Sequence, residues 1–203
     1  MAKFIELIKS NKNDIIKPIA VLLAICIIIP LALSLTNKIT KDKIAELDKK
    51  NSRETMAELI NADSFNEEEF KDGETEFTYY FALKDGNIIG YIFKTAEKGY
   101  GGDVSVMTAV NVDGTVKSVA ILDVSNETPG LGQNAAKESF YSQYAGKKSG
   151  ISLLKNGADS DKNEVNAVTG ATITSTAVNK AVNTALKQFE SVKNNEEVTE
   201  GEK

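Results

Sequence analysis

The chain has 203 residues, with 24 lysine and arginine residues, 29 aspartate and glutamate residues and no histidine. Without histidine the chain lacks the commonest general base and the commonest metal ligand, which argues against triad hydrolases and most zinc enzymes. The mildly acidic balance, without a basic patch interleaved with aromatic residues, argues against nucleic acid as a partner.

An uncharged run from Pro18 to Asn37 follows a short N-terminal segment, residues 1–17. Its 20 residues would form a helix of roughly 30 Å, the thickness of a bilayer's hydrocarbon core. The run exceeds the apolar part of a signal peptide, about 7–15 residues, and lacks a clear cleavage site. We therefore predict an uncleaved transmembrane helix at 18–37 rather than a signal peptide. Lysines flank it on both sides, so charge gives no clear orientation.

Residues 38–70 are rich in charge and carry an interrupted apolar stripe. This pattern predicts a mostly solvated helical connector between the membrane and a globular domain, and a plain spacer is the alternative. The domain is predicted at 71–192 and a polar, frayed tail at 193–203.

Two β-hairpins are predicted at the start of the domain, because alternating β-branched or aromatic runs flank Asp-Gly turns. The first joins Phe77–Leu83 through Asp85-Gly86 to the run that follows. The second joins Val104–Val112 through Asp113-Gly114 to Thr115–Val124.

Two helices follow the predicted strands, one from Gln133 to Tyr144 and an amphipathic one from Ser175 to about Val192. Hairpins with helices set apart from them indicate an α+β domain. Between the hairpins, the segment Gly99–Gly102 permits close backbone approach or positive φ, although its spacing alone favours an ordinary flexible loop.

The stretch VTGATITST, from Val168 to Thr176, places small residues among hydroxyls at the start of the last helix. The free amides and the dipole of a helix start favour an anion such as phosphate. Thr169, Thr174 and Ser175 can cap the helix or bond phosphate oxygens. The residues alone leave a capping cluster and a phosphate-contacting loop open, and spacing does not say which hydroxyl matters.

Three motifs resemble the FMN-binding domain family of Rnf and Na⁺-translocating NADH:quinone reductase complexes: T-G-A-T at Thr169–Thr172, E-T-P-G-L-G at Glu127–Gly132 and G-Y-G-G at Gly99–Gly102. The resemblance implies an antiparallel-sheet, FMN-binding domain with flanking helices behind a membrane anchor. It implies FMN bound covalently to Thr172 through a phosphoester, which a flavin transferase installs from FAD.

The resemblance also implies cofactor contacts in each motif. Glu127, Thr128 and Leu131 are expected at the isoalloxazine ring. The remaining expected contacts are Gly130, Gly132, Tyr100, Gly101, Thr169, Gly170, Ala171, Thr174 and Ser175. No catalytic residue and no metal ligand is expected. The family often has Asp three residues before the T-G-A-T motif, where this chain has Asn166, a change that weakens the expected recognition by the transferase.

The short chain resembles the G subunit of Rnf complexes, which link ferredoxin oxidation to NAD⁺ reduction and move Na⁺ or H⁺. This implies an electron-relay subunit with other membrane subunits and lipid as partners. It also implies a single-pass protein of the inner or plasma membrane, with its domain on the extracytoplasmic side. Two alternatives remain: the equivalent C subunit of Na⁺-translocating NADH:quinone reductase, and an anchored binding module without redox function.

Overall fold

The computed structural model describes residues 12–73 and 75–201. Predictions for residues 1–11 and for the last two residues of the tail lie outside these ranges. The chain divides into two compact units, with the boundary between Ser52 and Arg53.

The first helix, α1, runs from Lys12 to Leu59. Within it, Ile16–Lys41 is long and apolar enough to cross a membrane, and none of its most apolar stretch is buried. This segment contains the predicted span. Further along the chain, the buried side chains of Met56 and Leu59, at the end of α1, belong to the core of the second unit.

The second unit is built on a five-stranded antiparallel sheet whose strands are ordered as in the chain. The strands are β1 (Ser64–Asp72), β2 (Thr75–Lys84), β3 (Asn87–Lys98), β4 (Asp103–Asn111) and β5 (Val116–Asp123). Both predicted hairpins are present. Asp85 and Gly86 have φ of 52° and 78°, as the tight turn between β2 and β3 requires. The α+β prediction is confirmed.

Strand β1 falls in the segment predicted to be a helical connector. Its core side chain is Phe70, which stacks on Phe77 of β2 with 4.8 Å between ring centroids. The exposed glutamates at 67, 68 and 69 hide the alternation that marks a strand. Pairing with β2 along the whole strand, from Ser64 opposite Leu83 onward, therefore decides its conformation.

The two outer strands of the sheet are protected differently. The outer edge of β1 carries exposed charges, and no strand pairs with it among the described residues. At the other side, β5 is covered where it begins. The Val116 amide donates to the Lys147 carbonyl at 2.8 Å, and the Gly146 amide donates to the Val116 carbonyl at 2.8 Å.

The sheet is covered on both faces. The last helix, α3 (Thr172–Gly201), begins three residues before the predicted start and continues past Val192. It packs its buried stripe against one face, where Phe189 meets Tyr91 edge-on at 5.3 Å. The end of α1 covers the opposite face, with Ile60 packed near Ile92 and Met107. This sandwich fixes the start of α3 relative to the ends of β3 and β5.

The predicted helix from Gln133 to Tyr144 is broken into three pieces. These are a 3₁₀ turn at Gly132–Ala136, the short helix α2 at Glu138–Tyr141 and a 3₁₀ turn at Ser142–Tyr144. Lys137 is extended at the break, with φ −80° and ψ 138°. Buried Ala135 and Phe140 are five residues apart, and the break lets both reach the core. A short parallel pair, β6 (Ser152–Leu154) with β7 (Glu164–Asn166), was not predicted.

Candidate functional site

Three chain segments meet at one end of the sheet and enclose a cavity of about 500 Å³. They are the glycine segment between β3 and β4, the loop after β5, and the start of α3. Because β3 ends, β4 begins and β5 ends at the same end of the antiparallel sheet, the topology brings the first two segments together. The packing of α3 on the sheet places its start beside them. The cavity is lined by Tyr100, Glu127, Thr128, Leu131, Gly132, Gly170, Ala171, Thr172, Ile173 and Thr174.

The glycine segment is held in close contact with the loop after β5. A Cβ atom on Gly101 would lie 1.9 Å from the carbonyl oxygen of Asn126, and one on Gly99 would lie 2.5 Å from a Glu127 carboxylate oxygen. The segment closes on itself through the Gly99 amide, which donates to the Gly102 carbonyl at 2.7 Å. The glycines are therefore explained by close backbone approach.

Glu127 joins all three segments through its side chain, which is 2% exposed. One carboxylate oxygen accepts the Gly101 amide at 2.8 Å. The other accepts the Thr174 hydroxyl of α3. Burial raises the pKa of this carboxyl, but the hydrogen bonds from Thr174 and from the backbone of residues 100–102 outweigh that effect and hold the pKa below its ordinary value. Glu127 is therefore ionised and links the three segments in the cavity wall.

The loop after β5 turns sharply at Thr128–Leu131. The Leu131 amide donates to the Thr128 carbonyl at 3.1 Å, with Pro129 and Gly130 between them and a φ of 76° at the glycine. This is the geometry of a type II turn, in which the third residue needs positive φ. The turn leaves the Leu131 side chain 45% exposed at the cavity.

A second turn of the same kind precedes α3. The Ala171 amide donates to the Val168 carbonyl at 3.0 Å, and Gly170 has a φ of 77°. The helix then begins, because the Ser175 amide donates to the Ala171 carbonyl at 2.9 Å. Ala171 stands at the capping position, and its methyl group cannot accept a hydrogen bond from the first amides of the helix.

The hydroxyls of the Thr-rich stretch divide into engaged and free groups. Thr174 donates to Glu127. Ser175 donates to the Ala171 carbonyl at 2.9 Å, and Thr176 donates to the Thr172 carbonyl at 2.7 Å. The hydroxyls of Thr174 and Ser175, which were expected to cap the helix or bond phosphate, thus donate to acceptors within the protein.

Thr169 and Thr172 are both exposed, and neither hydroxyl has a hydrogen bond within the part of the chain that the structure describes. Of these two, Thr172 lines the cavity and Thr169 does not. Thr172 is also the first residue of α3, beside amides that have no partner within the helix. The geometry therefore separates one hydroxyl from the rest, which spacing alone did not do.

Most of the expected contacts line the cavity, and four do not: Gly101, Gly130, Thr169 and Ser175. Gly101 and Ser175 support residues of the wall. The Gly101 amide donates to Glu127, and the Ser175 hydroxyl donates to the Ala171 carbonyl. Ile173 lines the cavity and was not predicted. Its signal in the sequence was a large apolar residue next to the polar start of an amphipathic helix, and its side chain is 54% exposed.

Asn166 lies at the end of β7, apart from the cavity wall. Its carboxamide oxygen accepts the Ala158 amide at 2.9 Å, and its backbone amide donates to the Gln143 side chain at 2.8 Å. A carboxylate could accept the same amide, since the contact needs only an oxygen.

The wall offers two kinds of surface. At the start of α3, a free hydroxyl stands beside backbone amides that favour an anion. Around it, Tyr100, Leu131 and Ile173 expose 72%, 45% and 54% of their surface and offer flat or aliphatic contacts. A ligand with one anionic end and one large apolar ring system suits this combination.

Comparison with known proteins agrees with that chemistry. Residues 99–187 match the FMN-binding domain family, a range that contains all three segments. The chain is 37% identical to the G subunit of the proton-translocating ferredoxin:NAD(+) oxidoreductase complex of Clostridium ljungdahlii, covering 80% of this chain and 85% of that protein. It is 31% identical to the G subunit of the Na(+)-translocating ferredoxin:NAD(+) oxidoreductase complex of Acetobacterium woodii, covering 85% and 90%.

Among solved structures, NqrC of Shewanella oneidensis shares the fold, with a TM-score of 0.51 at 24% identity over 57% of this chain and 62% of that chain. Near-full coverage by the two sequence relatives decides the family. The chain belongs to the family of G subunits of Rnf-type ion-translocating oxidoreductase complexes and contains an FMN-binding domain.

Proposed function

We propose that this chain is a membrane-anchored electron-relay subunit of an Rnf-type complex, with FMN bound covalently to Thr172. One observation carries the assignment of the residue. In the Thr-rich stretch, Thr172 combines a hydroxyl free of internal hydrogen bonds with a place in the cavity wall. Its position at the start of α3 adds the backbone amides that stabilise a phosphate.

The residues present fit FMN. The amides at the start of α3 suit the phosphate, and the free Thr172 hydroxyl supplies the oxygen of a phosphoester. Leu131, Ile173 and Tyr100 supply apolar contact for the ring system. The flavin supplies the electron transfer itself, while the protein fixes its position and surroundings. Thr172 is a tether in this scheme and takes no part in redox chemistry.

Attachment requires a second protein, a flavin transferase with FAD as the donor. The Thr172 oxygen bonds to the phosphorus of the FMN half, the pyrophosphate bond breaks, and AMP leaves while the hydroxyl proton is lost. Gly170 supports this proposal, because it is exposed and leaves the approach to Thr172 open. The Asn166 position does not oppose it, since its side chain bonds elsewhere in the domain.

The complex is proposed to pass electrons between ferredoxin and NAD⁺ and to move Na⁺ or H⁺, as the names of the relatives state for those proteins. Their coverage favours this assignment over the C subunit of the NADH:quinone reductase. Genes for cysteine-rich iron–sulfur proteins beside this one would support the Rnf assignment. Other membrane subunits and lipid are the partners of the α1 span, and the domain is proposed to lie on the extracytoplasmic side.

Peptide mass spectrometry after co-expression with a flavin transferase tests the central proposal. The Thr172 peptide should gain the mass of FMN minus water, and the denatured protein should fluoresce in a gel. Thr172→Ala should abolish both signals, while Thr184→Ala, a matched control on the same helix outside the motif and the cavity, should keep them. Full flavin attachment to the Thr172→Ala chain would refute the assignment.

A further inference from the structure

Glu127 brings a charge into the cavity wall without a counter-ion. Among the ten lining residues, all of them described, it is the one with an ionisable carboxyl. No lysine or arginine of the described residues forms an ion pair with it. Neutral donors alone satisfy its oxygens, the amide of Gly101 and the hydroxyl of Thr174. Its negative charge is therefore hydrogen-bonded but not neutralised.

The carboxylate is also fixed in place. A Cβ atom on Gly99 would lie 2.5 Å from one oxygen, and a Cβ atom on Gly132 would lie 2.7 Å from the other. Glycine at both positions lets the backbone close around the group from two sides. With 2% of the residue exposed, the charge cannot turn into solvent, where water would screen it.

We propose that Glu127 lowers the reduction potential of the flavin through its fixed negative charge, and that its carboxylate also positions the glycine segment. This rests on the proposed function, since it requires FMN at Thr172. Reduction adds negative charge to a flavin, and an anion held in the same cavity wall opposes that gain. The effect is strong in a cavity because the local dielectric constant is well below that of water. The same carboxylate holds the glycine segment against α3.

Redox titration of the full-length flavinylated chain, in detergent at about pH 8, tests the charge. Glu127→Gln keeps an oxygen that can accept the Gly101 amide and removes the charge. We expect the equilibrium for flavin reduction to shift at least about tenfold toward the reduced form, which is about 30 mV for a two-electron couple. An unchanged potential in Glu127→Gln would overturn the proposal.

Two further variants separate the charge from the contacts it makes. Thr174→Val removes one hydrogen bond and keeps the carboxylate, so the shift should stay below about threefold. Glu138→Gln removes an exposed carboxylate outside the cavity and should leave the potential unchanged. If Thr174→Val shifts the potential as far as Glu127→Gln does, the role is structural and the charge proposal is wrong.

A measurement without flavin keeps this inference separate from the proposed function. In the Thr172→Ala chain, the Gly101 amide should exchange hydrogen at least about tenfold faster when Glu127 is replaced by Ala, because the acceptor is lost. Glu127→Gln should restore most of the protection. Equal exchange in all three proteins would refute the positioning role. A missing flavin on the wild-type Thr172 peptide would refute the proposed function instead.

Discussion

Ser175 and Val168 are joined across the turn that precedes α3 by a side-chain hydrogen bond. The Val168 amide donates to the Ser175 hydroxyl at 2.9 Å, and the same hydroxyl donates to the Ala171 carbonyl at 2.9 Å. Ser175 is completely buried. One serine in the first turn of α3 therefore closes the turn that presents Thr172.

Replacing Ser175 by Ala should destabilise the domain and impair flavin attachment. The change leaves the Val168 amide without its partner, which costs about 1–3 kcal/mol in the free energy of unfolding. Urea unfolding measures this cost, and peptide mass spectrometry measures the flavinylated fraction. Ser191→Ala is a matched control, because among the described residues the Ser191 hydroxyl bonds only the carbonyl four residues before it, at 3.1 Å. Equal costs for the two variants would contradict the role of Ser175 in the turn.

Adding a methyl group at Gly101 should be more damaging than adding one at Gly102. The new Cβ at Gly101 would lie 1.9 Å from the Asn126 carbonyl oxygen, whereas at Gly102 it would lie 3.0 Å from Asn126 side-chain atoms. The backbone must move in the first case, so we expect about 1–3 kcal/mol of destabilisation for Gly101→Ala and less for Gly102→Ala. Thermal unfolding of both variants checks the order, and the reverse order would show that the segment is not closely packed.

Glu127 should make the stability of the domain depend on acid pH. Because the pKa of Glu127 is lowered in the folded state, its contribution is present above its ordinary value of 4.5 and is lost as the pH falls through the folded value. Wild type and Glu127→Gln should therefore differ most in unfolding free energy near neutral pH and converge as the pH falls below the ordinary pKa of a glutamate. The pKa values of Asp113 and Asp123 are also lowered, but both residues remain in the two proteins. A difference that is independent of pH would contradict the ionised state.

The side of the membrane can be tested by labelling a single thiol. Ser160 is exposed in the loop between β6 and β7, and Cys26 is the chain's only cysteine. In a Cys26→Ala background, Ser160→Cys should react in intact cells with a maleimide that cannot cross the inner membrane, once the outer layers are made permeable. Reaction only after the inner membrane is lysed would place the domain in the cytoplasm.

The elements predicted correctly are those that local chemistry decides. The Asp85-Gly86 turn needs positive φ at both residues, and Asp-Gly is a pair that meets this need at low cost. β1 and the break at Lys137 depend on long-range packing instead. The three glutamates of β1 hide the alternation of a strand. The break at Lys137 follows from a spacing between buried residues that fits no single helix face.

The candidate site shows the same division. The three motifs could be recognised in the sequence, but the partners of Glu127 could not. Thr174 lies 47 residues away along the chain, and its hydroxyl could equally have capped its own helix. Ile173 was missed because an apolar residue in an amphipathic helix is ordinarily assigned to the core.

The acidic outer edge of β1 has a consequence for crowding. A protein tethered to a membrane diffuses in a plane, so two copies meet at a far higher effective concentration than they do free in solution. An open strand edge is then an aggregation risk, because it can pair with the same edge of a neighbour. Glutamates 67 to 69 are exposed in the middle of this strand, and pairing with the same strand of a second copy would bring their like charges close together. The charges that hid this strand in the sequence thus oppose edge-to-edge pairing between copies of the domain.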